Sequence, residues 1–350
     1  MDPDTRRFWI SLSRSRERKV LYAGPQGGRV RVREGRVLVE SADEAPLLDV
    51  PTGLVRRVVL FGSVGLSAGA RSWAMATDVD VVFASRRGSF QGTLLSAASR
   101  PRADRLRKQI RFSESPEATV LGCRIVEAKV RKQIVVLQRF GRRDHADDVQ
   151  RAIATMNGTL RMLGDCRTPQ EVMGLEGAAA AAYFPALGRL MPDDLRFSLR
   201  SRQPPMDVAN SALSFLYTVL LGECVTAVCA AGLEPTIGAL HTDDEDRPSL
   251  ALDLMEEFRP LIVDQIVIEA ARQGRLTGDH GRAEPGRSGV LLTKAGKAAI
   301  LDAYERRMQT GSRGALIGFS GTWRRHLHRQ AQRLQAAICQ GVEWTGLTWR

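Results

Sequence analysis

The 350-residue chain has little lysine: 6 Lys stand against 45 Arg. It also lacks paired cysteines. The five Cys, at positions 123, 166, 224, 229 and 339, form no CxxC motif. An odd count without metal spacing speaks against a disulfide scaffold or a zinc ribbon, and for reduced thiols in a cytoplasm. No run approaches about 18 consecutive apolar residues, so no membrane-spanning helix is expected. The first residues, MDPDTRRFWISLSRSRERK, contain no uninterrupted apolar stretch of the kind a secretory leader needs. The motifs GxSxG, HExxH and HxE…PCxxC are absent, which argues against serine hydrolases, zincins and zinc deaminases. The Gly-rich run GSVGLSAG (62–69) lacks the Lys-Ser/Thr ending of a phosphate loop and reads as a turn.

What is present is arginine, in an otherwise ordinary globular composition: 43% apolar, 26% charged, net charge +12. Guanidinium forks match phosphate oxygens bidentately and stay charged at any working pH. A basic balance of this size points toward nucleic acid. The charge is uneven. Residues 1–115 hold 21 basic and 12 acidic side chains, residues 116–305 hold 22 and 26, and residues 306–350 hold 8 and 1. Both ends are basic and the middle is mildly acidic.

The chain reads as an α+β protein of two domains. Residues 1–99 form a small N-terminal antiparallel β domain. Its short branched runs (KVLYA, RVRV, RVLVE, RRVVLFG, DVDVVFA) are separated by Gly and Pro turn signals. Residues 100–350 form a larger all-α domain with a basic connector near 97–111 and a basic tail at 306–350. Helices are expected at 103–113, 119–140, 145–163, 170–190, 207–231, 249–271 and 293–309, with a loop at 273–289. In the second of these, Val126, Val130, Ile134 and Leu137 share one apolar face. Lys129, Arg131 and Lys132 read as its basic solvated side. Cys224 and Cys229 read as core thiols, and His326 and His328 as part of the tail.

Three segments carry candidate chemistry. The densest is GALHTDDEDRPSLALDLMEEFRP (238–260), a local reversal of sign. Ser249 is placed to cap a helix on which Asp253 and Glu256, three apart, share a face. His241 lies upstream and can fold back over it. Two carboxylates and an imidazole suit Mg²⁺ or Mn²⁺. The same acids equally describe a solvated loop and a helix whose first turns favour negative charge. In GLEGAAAAAYFPAL (174–187), Glu176 is the only carboxylate between Glu171 and Asp193. Either it has a partner among small apolar neighbours, or it is an exposed Glu near a helix start. In FSLRSRQPPMDVANSALSFLYTVLLGE (197–223), Asp207 caps a long apolar helix. Arg200 and Arg202 before it either face phosphate or pair with Asp193 or Asp194.

Taken in order, these segments resemble a known family. The GxEG-Ala helix, RSRQPPMDVAN, GLEPTIGALH and SLALDLMEEFRPLIVD are similar to the CRISPR-associated spacer-acquisition integrases, the universal adaptation nucleases of CRISPR systems. The resemblance extends to VLFGSVGLSAGA, VDVVFASRRGSFQG, IVEAKVRKQ (125–133) and LLTKAGKAAILDAYERR (291–307), and spans roughly residues 20–307. It implies a metal-dependent DNA endonuclease and integrase that inserts foreign DNA fragments into a CRISPR array through attack of a DNA 3′-hydroxyl on a phosphodiester. It assigns Glu176, His241 and Glu256 as catalytic metal ligands for Mg²⁺ or Mn²⁺, with Asp253 joining or supporting them. Relatives often carry Asp where this chain has Glu256. The resemblance further implies double-stranded DNA partners (fragment and repeat), a homodimer through the β domains, and a hetero-hexamer with a small ferredoxin-like CRISPR-associated protein. Arg200 and Arg202 are the phosphate candidates near the site. The competing reading is a non-catalytic, structure-selective DNA-binding scaffold; a small-phosphoester hydrolase fits the acids but not the charge. The acidic cluster is expected to need its ion before DNA approaches.

Overall fold

A computed structural model of the chain describes residues 19–77, 79–85, 90–94, 103–141, 146–241, 247–283 and 288–349. The first half of the expected connector (97–102) and the acidic loop at 243–246 lie outside the described residues. The architecture is mixed α/β, and it divides into two compact units that meet in sequence at Arg100 and Pro101.

The first unit holds strands β1 (Lys19–Ala23), β2 (Arg29–Arg33), β3 (Arg36–Glu40), β4 (Pro46–Pro51), β5 (Val55–Phe61) and β6 (Gly65–Leu66). Helix α1 (Ala68–Ala76) follows, then β7 (Asp80–Ala84) and β8 (Phe90–Leu94). They form two four-stranded sheets, ordered β1-β5-β7-β8 and β4-β3-β2-β6. The expected antiparallel domain is in fact mixed. β1 pairs parallel with β5, β5 with β7, and β2 with β6. The cause is topological. The β2–β4 meander departs to the second sheet, so β5 returns beside β1 in the same direction. A β-α-β crossover through α1 then brings β7 parallel to β5. β5 carries the sequence signal of such burial, a near-continuous apolar run rather than alternation: Val58, Val59 and Leu60 are all buried. The run read as a turn at 62–69 contains β6 and the start of α1. Ser67 caps that helix, its hydroxyl accepting from the Ala70 amide at 3.1 Å.

The second unit holds α2 (Ala103–Ser113), α3 (Pro116–Phe140), α4 (Ala146–Met162), α5 (Pro169–Arg189), α6 (Val208–Ala230), α7 (Ser249–Glu256) and α8 (Gln265–Arg272). After these come β9 (Gly281–Ala283), β10 (Val290–Leu292), α9 (Lys294–Gln309), β11 (Gly311–Leu316), β12 (Phe319–Thr322) and α10 (Trp323–Gln340). It is helical but not all-α, because β9 with β10 and β11 with β12 form small two-stranded antiparallel sheets. α6 is long and apolar enough to cross a membrane by length and composition. Its most apolar window is 78% buried inside the protein, and it reads as the unit's central helix. Cys224 and Cys229 sit on it as buried thiols. A buried bidentate pair joins it to α10: Arg324 donates to Glu223 through Nε at 2.9 Å and Nη2 at 2.8 Å, and to Glu305 of α9 at 2.8 Å.

The segment expected as a basic tail is therefore part of the core. His326 is fully buried against the rings of Phe319 and Trp323. Beyond α10 the chain runs back as an extended strap. Trp344 and Leu347 are buried, and the Leu347 amide donates to Glu257 at 2.9 Å. Gly346 passes so close to α3 that a Cβ there would lie 2.4 Å from Ala128 Cβ. Truncating the strap's anchor, Trp344→Ala, is expected to lower unfolding free energy by about 3–5 kcal/mol, measured by urea denaturation.

Candidate metal centre

α3 begins at Ser115, with Pro116 in the first helical position. Its apolar stripe is the expected one: Val126, Val130, Ile134 and Leu137 are all buried. Lys129 and Lys132 are buried too, each 3% exposed, so only Arg131 of the three occupies the solvated side. The correction follows from the helical period. Lys129 lies three residues after Val126, hence on the apolar stripe itself. A buried ammonium needs partners. Lys132 Nζ finds Glu257 at 3.1 Å. Lys129 Nζ finds two carboxylates, Glu176 and Glu256, the latter at 2.5 Å.

Glu176 arrives on α5. That helix is started by a capping box between Thr168 and Glu171, with Pro169 in its first turn. Glu176 stands at the head of the Ala run, its side chain 26% exposed and its carboxylate joined to Lys129. The partnered reading therefore holds over the solvated one.

Glu256 and Asp253 come from α7. Ser249 does not cap this helix; Pro248 holds that position and Ser249 is buried within the first turn. Asp253 faces the Gly238–His241 turn. Its Oδ2 accepts from the amides of Ala239 (2.6 Å) and Leu240 (3.0 Å). Its Oδ1 accepts from the His241 amide (3.1 Å) and faces His241 Nδ1 at 2.7 Å. Gly238 is required here, since a Cβ would lie 2.8 Å from His241 O and 3.1 Å from Asp253 Oδ2. The expected folding back of His241 over the helix is thus built into one carboxylate.

With Nδ1 facing Asp253, the lone pair of His241 is assigned to Nε2. Nε2 lies 3.8 Å from Glu256 Oε1, too far for a hydrogen bond and close enough for both atoms to share a cation. Burial alone would push the His241 pKa down, but the hydrogen bond that His241 donates to Asp253 and the charges of Asp253 and Glu256 raise it. Glu256 is fully buried, which favours its neutral form. The charges of Arg259, Lys129 and His241 overcome this and lower its pKa to about 2. It is ionised at any working pH.

A π-helical turn, Arg259–Asp264, separates α7 from α8. It begins with Arg259, which donates to Glu256 and lies 5.3 Å over the Tyr217 ring. It ends with Asp264, whose two oxygens accept from Tyr183 (2.8 Å) and Tyr217 (2.5 Å). Sequence reasoning missed Lys129, Arg259 and the Tyr217–Asp264 pair. Only Lys129 had a local signal, its place on the apolar stripe.

Arg200 is not placed as a phosphate contact. Its Nη1 donates to Asn210 Oδ1 at 2.9 Å and its Nη2 to Ser214 Oγ at 2.9 Å, and its guanidinium faces the rings of Phe184 and Tyr217. It organises the loop before α6, which Asp207 caps as expected by accepting from the Asn210 amide at 2.7 Å. Arg202 is exposed. Neither pairs with the acids considered for them: Asp193 pairs with Arg196, and Asp194 accepts from the Gly278 amide.

The donor set fits a hard divalent cation. His241 Nε2 and Glu256 Oε1 lie 3.8 Å apart, and Glu176 joins them through Lys129, so that among the described residues no three such donors are yet closed around one point. The imidazole's other nitrogen is fixed by a carboxylate, and the buried Glu256 Oε2 is held by charge without a well-formed hydrogen bond. Both Asp253 oxygens are engaged by the turn and by His241, an arrangement that suits a supporting role.

Comparison with known proteins adds four likenesses. Residues 21–306 match the family model described as CRISPR associated protein Cas1. The chain is 36% identical over 331 residues to CRISPR-associated endonuclease Cas1 1 of Thermus thermophilus, covering 94% of this chain and 99% of that relative. In fold it is similar to a casposase bound to integration product (TM-score 0.80, 22% identity, 94% of this chain and 92% of that one). It is also similar to part of a chain of a Cas6-RT-Cas1–Cas2 complex (TM-score 0.80, 21% identity, 96% of this chain and 36% of that one).

Asp264 offers a pH test of the buried network. Burial raises its pKa to about 6, against the lowering effect of both tyrosine hydroxyls. The folded state therefore holds a proton that the unfolded state releases near pH 4. This contribution to stability is complete below about pH 4 and is lost as pH rises through about 6. It amounts to roughly 3 kcal/mol. The difference in urea stability between the wild type and Asp264→Asn should change by about that amount between pH 4 and pH 7, with the wild type losing ground as pH rises.

Proposed function

The chain belongs to the Cas1 family of CRISPR-associated proteins, and from that premise we propose that it is a metal-dependent DNA endonuclease and integrase. It inserts foreign DNA fragments into a CRISPR array. The observation that carries this reading is the convergence of Glu176, His241 and Glu256 from three separate segments, with Asp253 fixing the imidazole.

In the proposed reaction a fragment's 3′-oxygen forms a new bond to a phosphorus at the repeat boundary. The P–O bond to the repeat strand's own 3′-oxygen breaks. No Ser, Tyr or Cys nucleophile is needed, and water in place of the 3′-hydroxyl gives strand cleavage. When bound, Mg²⁺ or Mn²⁺ supplies charge neutralisation at the phosphate and favours deprotonation of the attacking hydroxyl. Glu176, His241 and Glu256 would hold it. Asp253 keeps His241 in the tautomer that presents Nε2. Arg259, fixed against Tyr217, contributes positive charge beside Glu256. Phosphate affinity comes largely from arginines outside this cluster, with exposed Arg202 a candidate.

We assign the two roles to the two compact units. The first serves dimerisation and the second carries every residue of the site. The family resemblance supports a homodimer that assembles with a small ferredoxin-like partner into a hetero-hexamer on double-stranded DNA. The fold likeness to a chain from a complex containing Cas2 supports a partner of that kind. A cytoplasmic location accords with this role.

Strand transfer into supercoiled plasmid with Mn²⁺ tests the assignment. Glu176→Gln, His241→Ala and Glu256→Gln should each lose activity on the order of 10²–10³-fold, the loss typical of removing one preorganised electrostatic group. Full activity in His241→Ala would mean that the site is elsewhere. Absence of strand transfer in the wild type with its partner present would favour a DNA-binding scaffold. Arg202→Ala should reduce the salt dependence of DNA affinity by about one unit of slope without lowering the melting temperature. Arg200→Ala should do the reverse.

A further inference from the structure

The proposed ligands already hold a cation. Lys129 Nζ lies within ion-pair reach of both Glu176 Oε1 and Glu256 Oε2. It occupies the space between two carboxylates that a divalent ion would need. The side chains of Lys129 and Glu256 are 4% and 2% exposed, so neither is a surface group that merely drifts there.

Charge makes the position consequential. Glu176 and Glu256 carry two negative charges, while Lys129 and Arg259 carry two positive ones. These four charges cancel, and the Asp253 carboxylate on His241 leaves one net negative charge before any metal arrives. The acidic centre is thus largely compensated by resident cations. A divalent cation entering this buried set meets like charge within a few ångströms unless one resident cation withdraws. Arg259 is held by its stacking on Tyr217. Lys129 has a flexible four-carbon stem, and a lysine ammonium can swing while its helix stays fixed.

A second lysine on the same helix shows what a purely structural pair looks like. Lys132, three residues on, meets Glu257, the immediate neighbour of Glu256. Glu257 also accepts from Gln330 Nε2 at 2.5 Å and from the Leu347 amide, and is 1% exposed. That pair is closed on all sides. The Lys129 cluster is bordered by Glu176 and His241, each 26% exposed at the side chain, so it has a route to solvent.

We propose that Lys129 is a tethered counter-ion: without metal it bridges Glu176 and Glu256, and loading a divalent cation requires its ammonium to leave. This rests on the reading of Glu176, His241 and Glu256 as ligands, and it adds regulation of metal loading to that site. The tethered ammonium keeps the ligand carboxylates compensated when no metal is present. It also sets a threshold that a metal must exceed.

Calorimetric titration of the full chain with Mn²⁺ alone tests both layers separately. Lys129→Met and Lys129→Gln remove the competing charge and should bind Mn²⁺ about tenfold or more tightly than the wild type. Lys132→Met should melt at lower temperature with unchanged Mn²⁺ affinity. Glu256→Gln should lose Mn²⁺ binding. If Glu256→Gln abolishes binding while both Lys129 variants bind no better than the wild type, the counter-ion is refuted and the ligand assignment stands. If Glu256→Gln and His241→Ala bind Mn²⁺ like the wild type, the ligand assignment fails and the counter-ion with it.

A measurement on the wild type needs no variant to fold. Acetylation by an N-hydroxysuccinimide ester, read by mass spectrometry, should leave Lys129 protected without metal and label it severalfold more at saturating Mn²⁺. Lys132 should stay protected in both states. Lys129 that remains protected at saturation overturns the proposal.

Discussion

The centre depends on one carboxylate that is not among its proposed ligands. Asp253 gathers three consecutive backbone amides and an imidazole nitrogen, and so fixes a four-residue turn to a helix. A carboxylate with this many donors has its lone pairs satisfied without a neighbouring cation. That leaves the basic side chains nearby free to serve the other acids. It also couples two lengths of chain that secondary structure alone would not join. The turn before α7 has no ladder or helix to hold it, and its geometry is the geometry of Asp253.

Around that clamp, the last residue of α7 and its C-cap, two consecutive acids, take opposite duties. Glu256 faces Glu176 and His241, and Glu257 faces the strap. Two lysines three residues apart on α3 address them one each. Helical spacing explains the arrangement: neighbouring residues on α7 point about 100° apart, while residues three apart on α3 share a face. A mobile function and a rigid anchor are therefore separated by a single peptide bond. The strap that began as an expected basic tail becomes, through Glu257, a support for the backbone next to Glu256.

Much of this was legible in the sequence, and the omissions have physical causes. The order of the GxEG helix, the Gly-x-x-His turn and the Asp-x-x-Glu helix was enough to single out Glu176, His241, Asp253 and Glu256. Asp207 as a helix cap and the apolar stripe of α3 followed from local rules. The rest is non-local. Lys129 was assigned to solvent because a lysine usually lies there, although its period put it inward. Arg200 was assigned to phosphate because its partners, Asn210 and Ser214, lie on the next helix. Parallel pairing of β1 with β5 was hidden because it depends on where the intervening strands go. A buried cation is invisible to any rule that judges residues one at a time.

The π-helical turn at Arg259–Asp264 joins the two networks that flank the centre. Its ends carry Arg259, which reaches Glu256, and Asp264, which reaches Tyr217, and both converge on the same tyrosine ring. A π-turn takes up about one residue more than an α-turn over the same rotation. A one-residue deletion that relaxed the turn to α-helix would therefore leave α8 in phase with α7. A further inserted residue, or a longer deletion, would swing Asp264 and all of α8 out of phase with Glu256 by about 100° per residue. Insertions between Glu256 and Asp264, more than single deletions, are thus the length changes that mark a disabled relative.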